Sequence, residues 1–143
     1  VNLVETTDLV FQDWLTYIGT ATNFAFGNED PINSATGKKL DEGSEAWYRI
    51  SFREAGGGRA NLNGEVGTRK YDRLGFLAVQ CFSPTNVGEK TGKQMAEAAR
   101  TYFEDRRLNN DIIYLNATAR PQPPDGKWFP VLLEVQVVYT DIK

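Results

Sequence analysis

The chain has 143 residues, 41% hydrophobic, 24% charged and 12% aromatic, with a formal net charge of −3; these values fit one globular domain and exclude a disordered or collagen-like chain. With no His and a single Cys, Cys81, the sequence lacks the commonest general base, internal disulfides and a multi-Cys metal cluster. The acidic balance argues against gripping nucleic acid over the whole surface, and the absence of an ~18-residue apolar run or a signal-like start at Val1 to Glu5 predicts a soluble chain.

Helical spacing of Leu3, Thr7, Val10, Trp14 and Tyr17 or Ile18, widened by Phe11 and Leu15, predicts a helix from about Leu3 to Ile18. Asn2 with Glu5 has the form of a capping box, and Gly19 suits the helix end. Thr22 to Phe26 reads as a short strand, and Asn28 to Glu45, with Pro31, Gly37 and Gly43, as a long loop. Ala46 to Arg53 alternates cleanly: Tyr48, Ile50 and Phe52 on one face, Trp47, Arg49, Ser51 and Arg53 on the other. The glycine run Gly56 to Gly58 and the Asn63-Gly64 turn signal predict a mobile loop or hairpin over 54–67, whose shortening would leave monomer folding almost unchanged.

Lys70 to Phe82 reads as a long strand, with Phe76, Ala78, Gln80 and Phe82 opposite Leu77, Val79 and Cys81, and Gly75 marking a bulge. Ser83-Pro84 ends it, and Thr91 with Gln94 has the spacing of a capping box for a second helix. That helix has a core stripe of Met95, Ala98, Ala99, Tyr102 and Phe103, an Arg100–Glu104 pair on its polar face, and Arg106 and Arg107 at its negative end. Asp111 to Ala117 is a strand, Pro121 to Gly126 a turn, and Lys127 to Tyr139 a strand burying Val131, Leu133, Val135, Val137 and Tyr139, with Pro130 favouring an edge or strand end. The order α-β-β-β-α-β-β predicts one α+β domain: a single mixed or antiparallel sheet of about five strands with two helices on one face.

Catalytic and ligand motifs are weak. Gly88 to Gln94 resembles a phosphate-binding loop, but three residues separate its glycines where four are needed, and Gln94 stands where a hydroxyl is required. The Gly56 cluster has no helical stripe after it, and Cys81 lies in an apolar strand with no His to activate it. The acidic pairs Glu29-Asp30, Asp41-Glu42 and Glu104-Asp105 read as solvated charge, and Asn116-Ala117-Thr118 as an accidental glycosylation match. Arg53, Arg59, Arg69, Lys70 and Arg73 surround the 54–67 segment, interleaved with Glu54, Glu65 and Asp72. They form either a solvated loop or a contact for DNA or a partner. Residues 1–45 carry eight acids and two bases, residues 46–143 eleven acids and fourteen bases, so the two regions could attract one another across a subunit contact, with solvated charge as the alternative.

One block is more specific: Arg73 to Pro84 (RLGFLAVQCFSP), then Gly88, then Met95 to Arg100 and Phe103 to Arg107. It resembles the tail-terminator (minor tail protein U-like) family of long-tailed bacteriophages, including related prophage proteins. The N-terminal helix, the early strands and the turn Asp125-Gly126-Lys127-Trp128-Phe129 recur in the same order, so the likeness covers most of the chain. The long Asn28 to Glu45 loop departs from the pattern.

The resemblance implies a non-enzymatic virion protein without a cofactor, acting at the head-proximal end of the tail after assembly in the bacterial cytoplasm. Six copies would form a homo-oligomeric ring on the last ring of tail-tube protein, stop polymerisation and offer a surface to the head-neck connector. DNA would only pass through the lumen, and no membrane is involved. Arg49 and Arg53 on the outward strand face, with Gln80 and Gln136, would then supply subunit contacts, a solvated sheet face being the alternative. Rival readings are another ring-forming neck or tail-tube protein, or a small-ligand or nucleotide-binding module using the Gly88 to Lys93 turn.

Overall fold

The Asn2–Glu5 cap forms as the spacing predicts: Glu5 N–H donates to Asn2 Oδ1 at 2.9 Å, and Asn2 N–H donates to Glu5 Oε2 at 3.2 Å. The helix it opens, α1, spans Leu3–Ile18. Thr6, Val10, Asp13 and Trp14 form its buried face, whereas Leu3, expected in the apolar stripe, and Leu15, expected to widen it, point to solvent. The computed structural model describes residues 2–18, 23–27, 32–33, 46–59, 66–67, 69–84, 89–124 and 126–142; the expected cap at Gly19 lies outside them.

The second helix, α2, spans Glu89–Phe103 and so begins before the expected Thr91 box. Gly92, Ala96, Ala99 and Phe103 form its buried stripe at helical spacing, with Met95 and Tyr102 half-buried beside it. Ala98 is exposed, because a step of two residues from Ala96 turns it away from the sheet. The predicted Arg100–Glu104 pair is replaced by Arg100–Glu97 at 3.4 Å. Glu104 lies past the helix end, and its carboxylate accepts the Ala117 N–H at 2.9 Å. Asp105, at φ 58°, turns the chain out of the helix in the left-handed conformation that Asp tolerates.

The strands are β1 (Asn23–Phe26), β2 (Ile32–Asn33), β3 (Trp47–Arg59), β4 (Lys70–Pro84), β5 (Ile112–Pro121) and β6 (Trp128–Ile142). They form one mixed sheet in the order β2-β1-β3-β4-β6-β5, parallel at β1–β3 and antiparallel elsewhere. The α+β architecture and the predicted order hold, with β2 as a short sixth strand inside the stretch expected to be loop. Strand β5 runs on to Pro121, where a turn was expected. Pro130 sits near the start of an interior strand, just past the last β5–β6 partner pair, which is the strand-end position open to a residue lacking an N–H.

Alternation decides which face is covered. Tyr48 and Ile50 of β3, Leu77, Val79 and Cys81 of β4, and Val131 to Tyr139 at alternate positions of β6 join Val10, Trp14, Ala96, Ala99 and Phe103 in one core. Both helices therefore lie on the same face of the sheet. A smaller cluster of Ala25, Trp47 and Phe82, with Trp128 against it, forms at one end of the other face.

The segment expected to be a loop from Glu54 is strand as far as Arg59. Gly56, Gly57 and Gly58 pair with Leu74, Arg73 and Asp72, so removing them would cut a ladder rather than trim a loop. The remainder of the expected shortening, residues 60–64, lies outside the described residues. The bulge expected at Gly75 falls on the opposite strand, between Glu54 and Gly56. Gly75 serves a different need: a Cβ there would lie 2.6 Å from Phe52 Cζ and 2.9 Å from Arg53 O. A Cβ at Gly57 would meet Arg73 Cγ at 2.9 Å, so the missing side chain lets Arg73 lie flat across the ribbon.

Candidate functional site

The face of the sheet left uncovered by the described residues gathers four of the eight predicted site residues. In the register across β3, β4 and β6, Arg49 stands opposite Gln80, and Arg53 opposite Phe76, which in turn faces Gln136. Period-two alternation places all of them opposite the helix-covered core. Arg49 donates to the Gly27 carbonyl and lies over the Trp47 ring, 5.0 Å from its centroid. Gln80 donates to Gln122 Oε1 at 3.2 Å.

At the centre of this face stands a residue the sequence reading did not single out. Glu134 of β6 pairs with Arg53 at 3.4 Å and also with Arg120 of β5. Glu134 is 18% exposed, whereas Arg53 and Arg120 are 62% and 61% exposed. Two guanidiniums thus share one sunken carboxylate and reach outward from it. Arg53 also lies over the Phe76 ring, 4.7 Å from its centroid, an arrangement in which the ring face attracts the cation. An acid alternating with valines and leucines along β6 was the available sequence signal.

Arg73 belongs to the opposite face. It pairs with Glu54 at 3.2 Å and Asp141 at 3.6 Å, and lies over Tyr71, 5.4 Å from the centroid. Tyr139, its register partner on β6, is fully buried, and burial raises that phenol above its usual range, with Glu54 adding to the effect. Arg69 is half-buried and Lys70 exposed at the entry to β4, each with interactions of its own. Arg59 closes β3, and its side chain lies outside the described residues. The predicted basic cluster is therefore divided between two faces and does not form one patch.

A second polar group sits between the helices. Asp13 of α1 is buried; its Oδ1 accepts from Arg106 at 2.8 Å and from the Tyr102 hydroxyl at 3.0 Å. Arg106, expected at the end of the helix dipole, instead lies over the Tyr102 ring and ties the α2 exit to α1. Burial, and then the Asp13 carboxylate, raise the Tyr114 phenol well above its usual range. Arg106 O accepts the Tyr114 N–H at 2.7 Å, which fixes this exit against β5. The arrangement joins three elements, and the Asp13 side chain at its centre is only 2% exposed.

Cys81 is fully buried, and burial pushes its thiol up to about 12 from an ordinary 9.0. Between those values an unfolded chain has released the proton while the folded chain retains it, so stability falls as pH rises. Burial also raises Tyr48 from 10.0, adding a fall of the same sign at higher pH. Urea melts of the native chain and Cys81→Ala should therefore converge by about 1.4 kcal/mol from about pH 8 to about pH 10. Parallel pH profiles would show that this thiol ionises equally well in the folded chain.

Part of the Gly88 to Lys93 turn weighed for phosphate lies outside the described residues; Lys90 and Lys93 are exposed on the first turns of α2. Among the described residues, no three His, Cys, Asp or Glu side chains gather as metal ligands, and no helix is long and apolar enough to cross a membrane.

No family model and no curated protein matches the chain. Seven chains among solved structures do match. One of them aligns with a TM-score of 0.56 at 15% identity, over 92% of this chain and 94% of that chain. At that identity the likeness establishes a shared fold over nearly the whole length of both.

Proposed function

We propose that the chain is a structural protein of a phage or prophage tail that forms a ring on the end of the tail tube, stops its growth and presents a surface for head-neck joining. The observation that carries this reading is the pairing of the β4–α2 sequence block with a two-layer body whose long antiparallel face is left uncovered by the described residues. The block supplies the family resemblance. The open face supplies a rigid, polar and aromatic surface of the kind a subunit contact uses. Arg53, Arg120 and Glu134 are placed there by the sheet itself, so a neighbour would meet pre-ordered groups and lose little side-chain entropy on docking.

Native mass spectrometry across a concentration series, with electron microscopy of the same samples, tests the reading. A closed ring of six copies is expected. Open-ended multiples would identify a tube-forming protein instead, and a chain that stays monomeric and fails to cap tail tubes would overturn the proposal.

A further inference from the structure

The uncovered sheet face and the outer stripe of α1 lie on opposite sides of the molecule and carry opposite charge. On the sheet, two guanidiniums flank the single Glu134 carboxylate, over a floor that includes the half-buried Phe76, Ala78 and Leu132. On α1, the residues turned away from the core are Val4, Asp8, Gln12 and Leu15, with Glu5 beside them. Val4 is 68% exposed and Leu15 41%. The helix carries no Lys or Arg at all, and its third acid, Asp13, is turned inward to Arg106. Its solvent stripe is therefore apolar at both ends and acidic between, the counterpart of a sheet face that is apolar within and basic at its projecting tips.

We infer that the α1 stripe of one copy docks on the uncovered sheet face of the next, with Asp8 and Glu5 meeting Arg53 and Arg120. The occupant is a second copy of this chain, a choice that rests on the ring-forming reading above; the two surfaces follow from charge and exposure. Contact between two different surfaces is head-to-tail, and such contacts close into rings or run on as filaments according to the rotation between neighbours. Charge complementarity also sets the direction of stacking, because like surfaces brought together repel.

The test uses two variants of the whole chain. D8K/Q12K makes the helix stripe basic and leaves the Glu5 cap intact. R53E/E134K/R120E inverts the sheet trio while keeping its internal pairing. In sedimentation velocity at low salt, each variant alone should need at least about tenfold more protein to associate than the native chain, and the native association should weaken in high salt. An equimolar mixture should recover native-like association, since each altered surface then meets its complement in the other variant. That recovery would also show both variants to be folded.

Either variant associating as the native chain does, failure of the mixture to recover, or a native chain that stays monomeric would overturn the contact. A closed ring indifferent to both reversals would sink the contact and leave the terminator reading standing. Open filaments lost and recovered by the reversals would do the opposite.

Discussion

Phe103→Ala should lower stability by about 3–5 kcal/mol. Phe103 has no solvent exposure, and its ring lies where α1, α2 and β5 meet. It stacks with Trp14 at 6.1 Å between centroids, and meets Tyr17 at 5.6 Å, Tyr102 at 4.8 Å and Tyr114 edge-on at 5.3 Å. Those partners come from α1, α2 and β5, so the cavity left behind would have walls on three elements, each fixed by its own backbone hydrogen bonds. Collapse would be incomplete, which is the condition that pushes such a loss toward the upper end. Urea denaturation gives the value directly. A loss below about 1 kcal/mol would be incompatible with a buried ring at this position.

Arg106→Met should cost about 3 kcal/mol, and Asp13→Asn distinctly less. The asymmetry comes from exposure: the Arg106 side chain is 35% exposed and that of Asp13 only 2%. Losing the guanidinium strands a buried carboxylate with the Tyr102 hydroxyl as its remaining partner at Oδ1. Losing the carboxylate charge leaves a cation that can turn toward water. Measuring both variants by equilibrium denaturation decides the matter, and equal losses would mean that Asp13 has access to solvent the structure does not give it. The main-chain bond from Tyr114 to Arg106 O is untouched by either change, so the comparison isolates the side chains.

What the sequence made legible follows from how local each signal is. The bounds of α1 and its cap depend on residues three or four apart, and they are correct. Strand faces depend on a period of two, and Arg49, Arg53, Gln80 and Gln136 duly share one face. The start of α2 was misplaced because Thr91 and Gln94 have the spacing of a cap while the hydrogen bonds begin earlier. Ala98 was taken for Ala96 because, in a run rich in alanine, neighbouring faces differ little in hydrophobicity. Gly56 to Gly58 looked like a loop because three glycines present no alternating side chains; their order is imposed by β4 across the ladder. Asp13 went unnoticed inside an apolar stripe, since its partner Arg106 lies on another helix exit. Glu134 was hidden in the same way, its two arginines coming from β3 and β5.

The placement of β6 sets the order in which the fold can be completed. This strand comes last in the sequence yet lies between β4 and β5, and its partners run from Lys70↔Ile142 to Pro84↔Trp128 along the whole of β4. Until it inserts, β4 and β5 each present a bare edge, and the core lacks Val131, Leu133, Val135, Val137 and Tyr139. Pairing over such separations is slow, because the chain entropy is lost before the contacts that compensate it are made. A nascent chain that has emerged only as far as β5 therefore exposes strand edges that the finished sheet pairs, the kind of edge on which another chain can add.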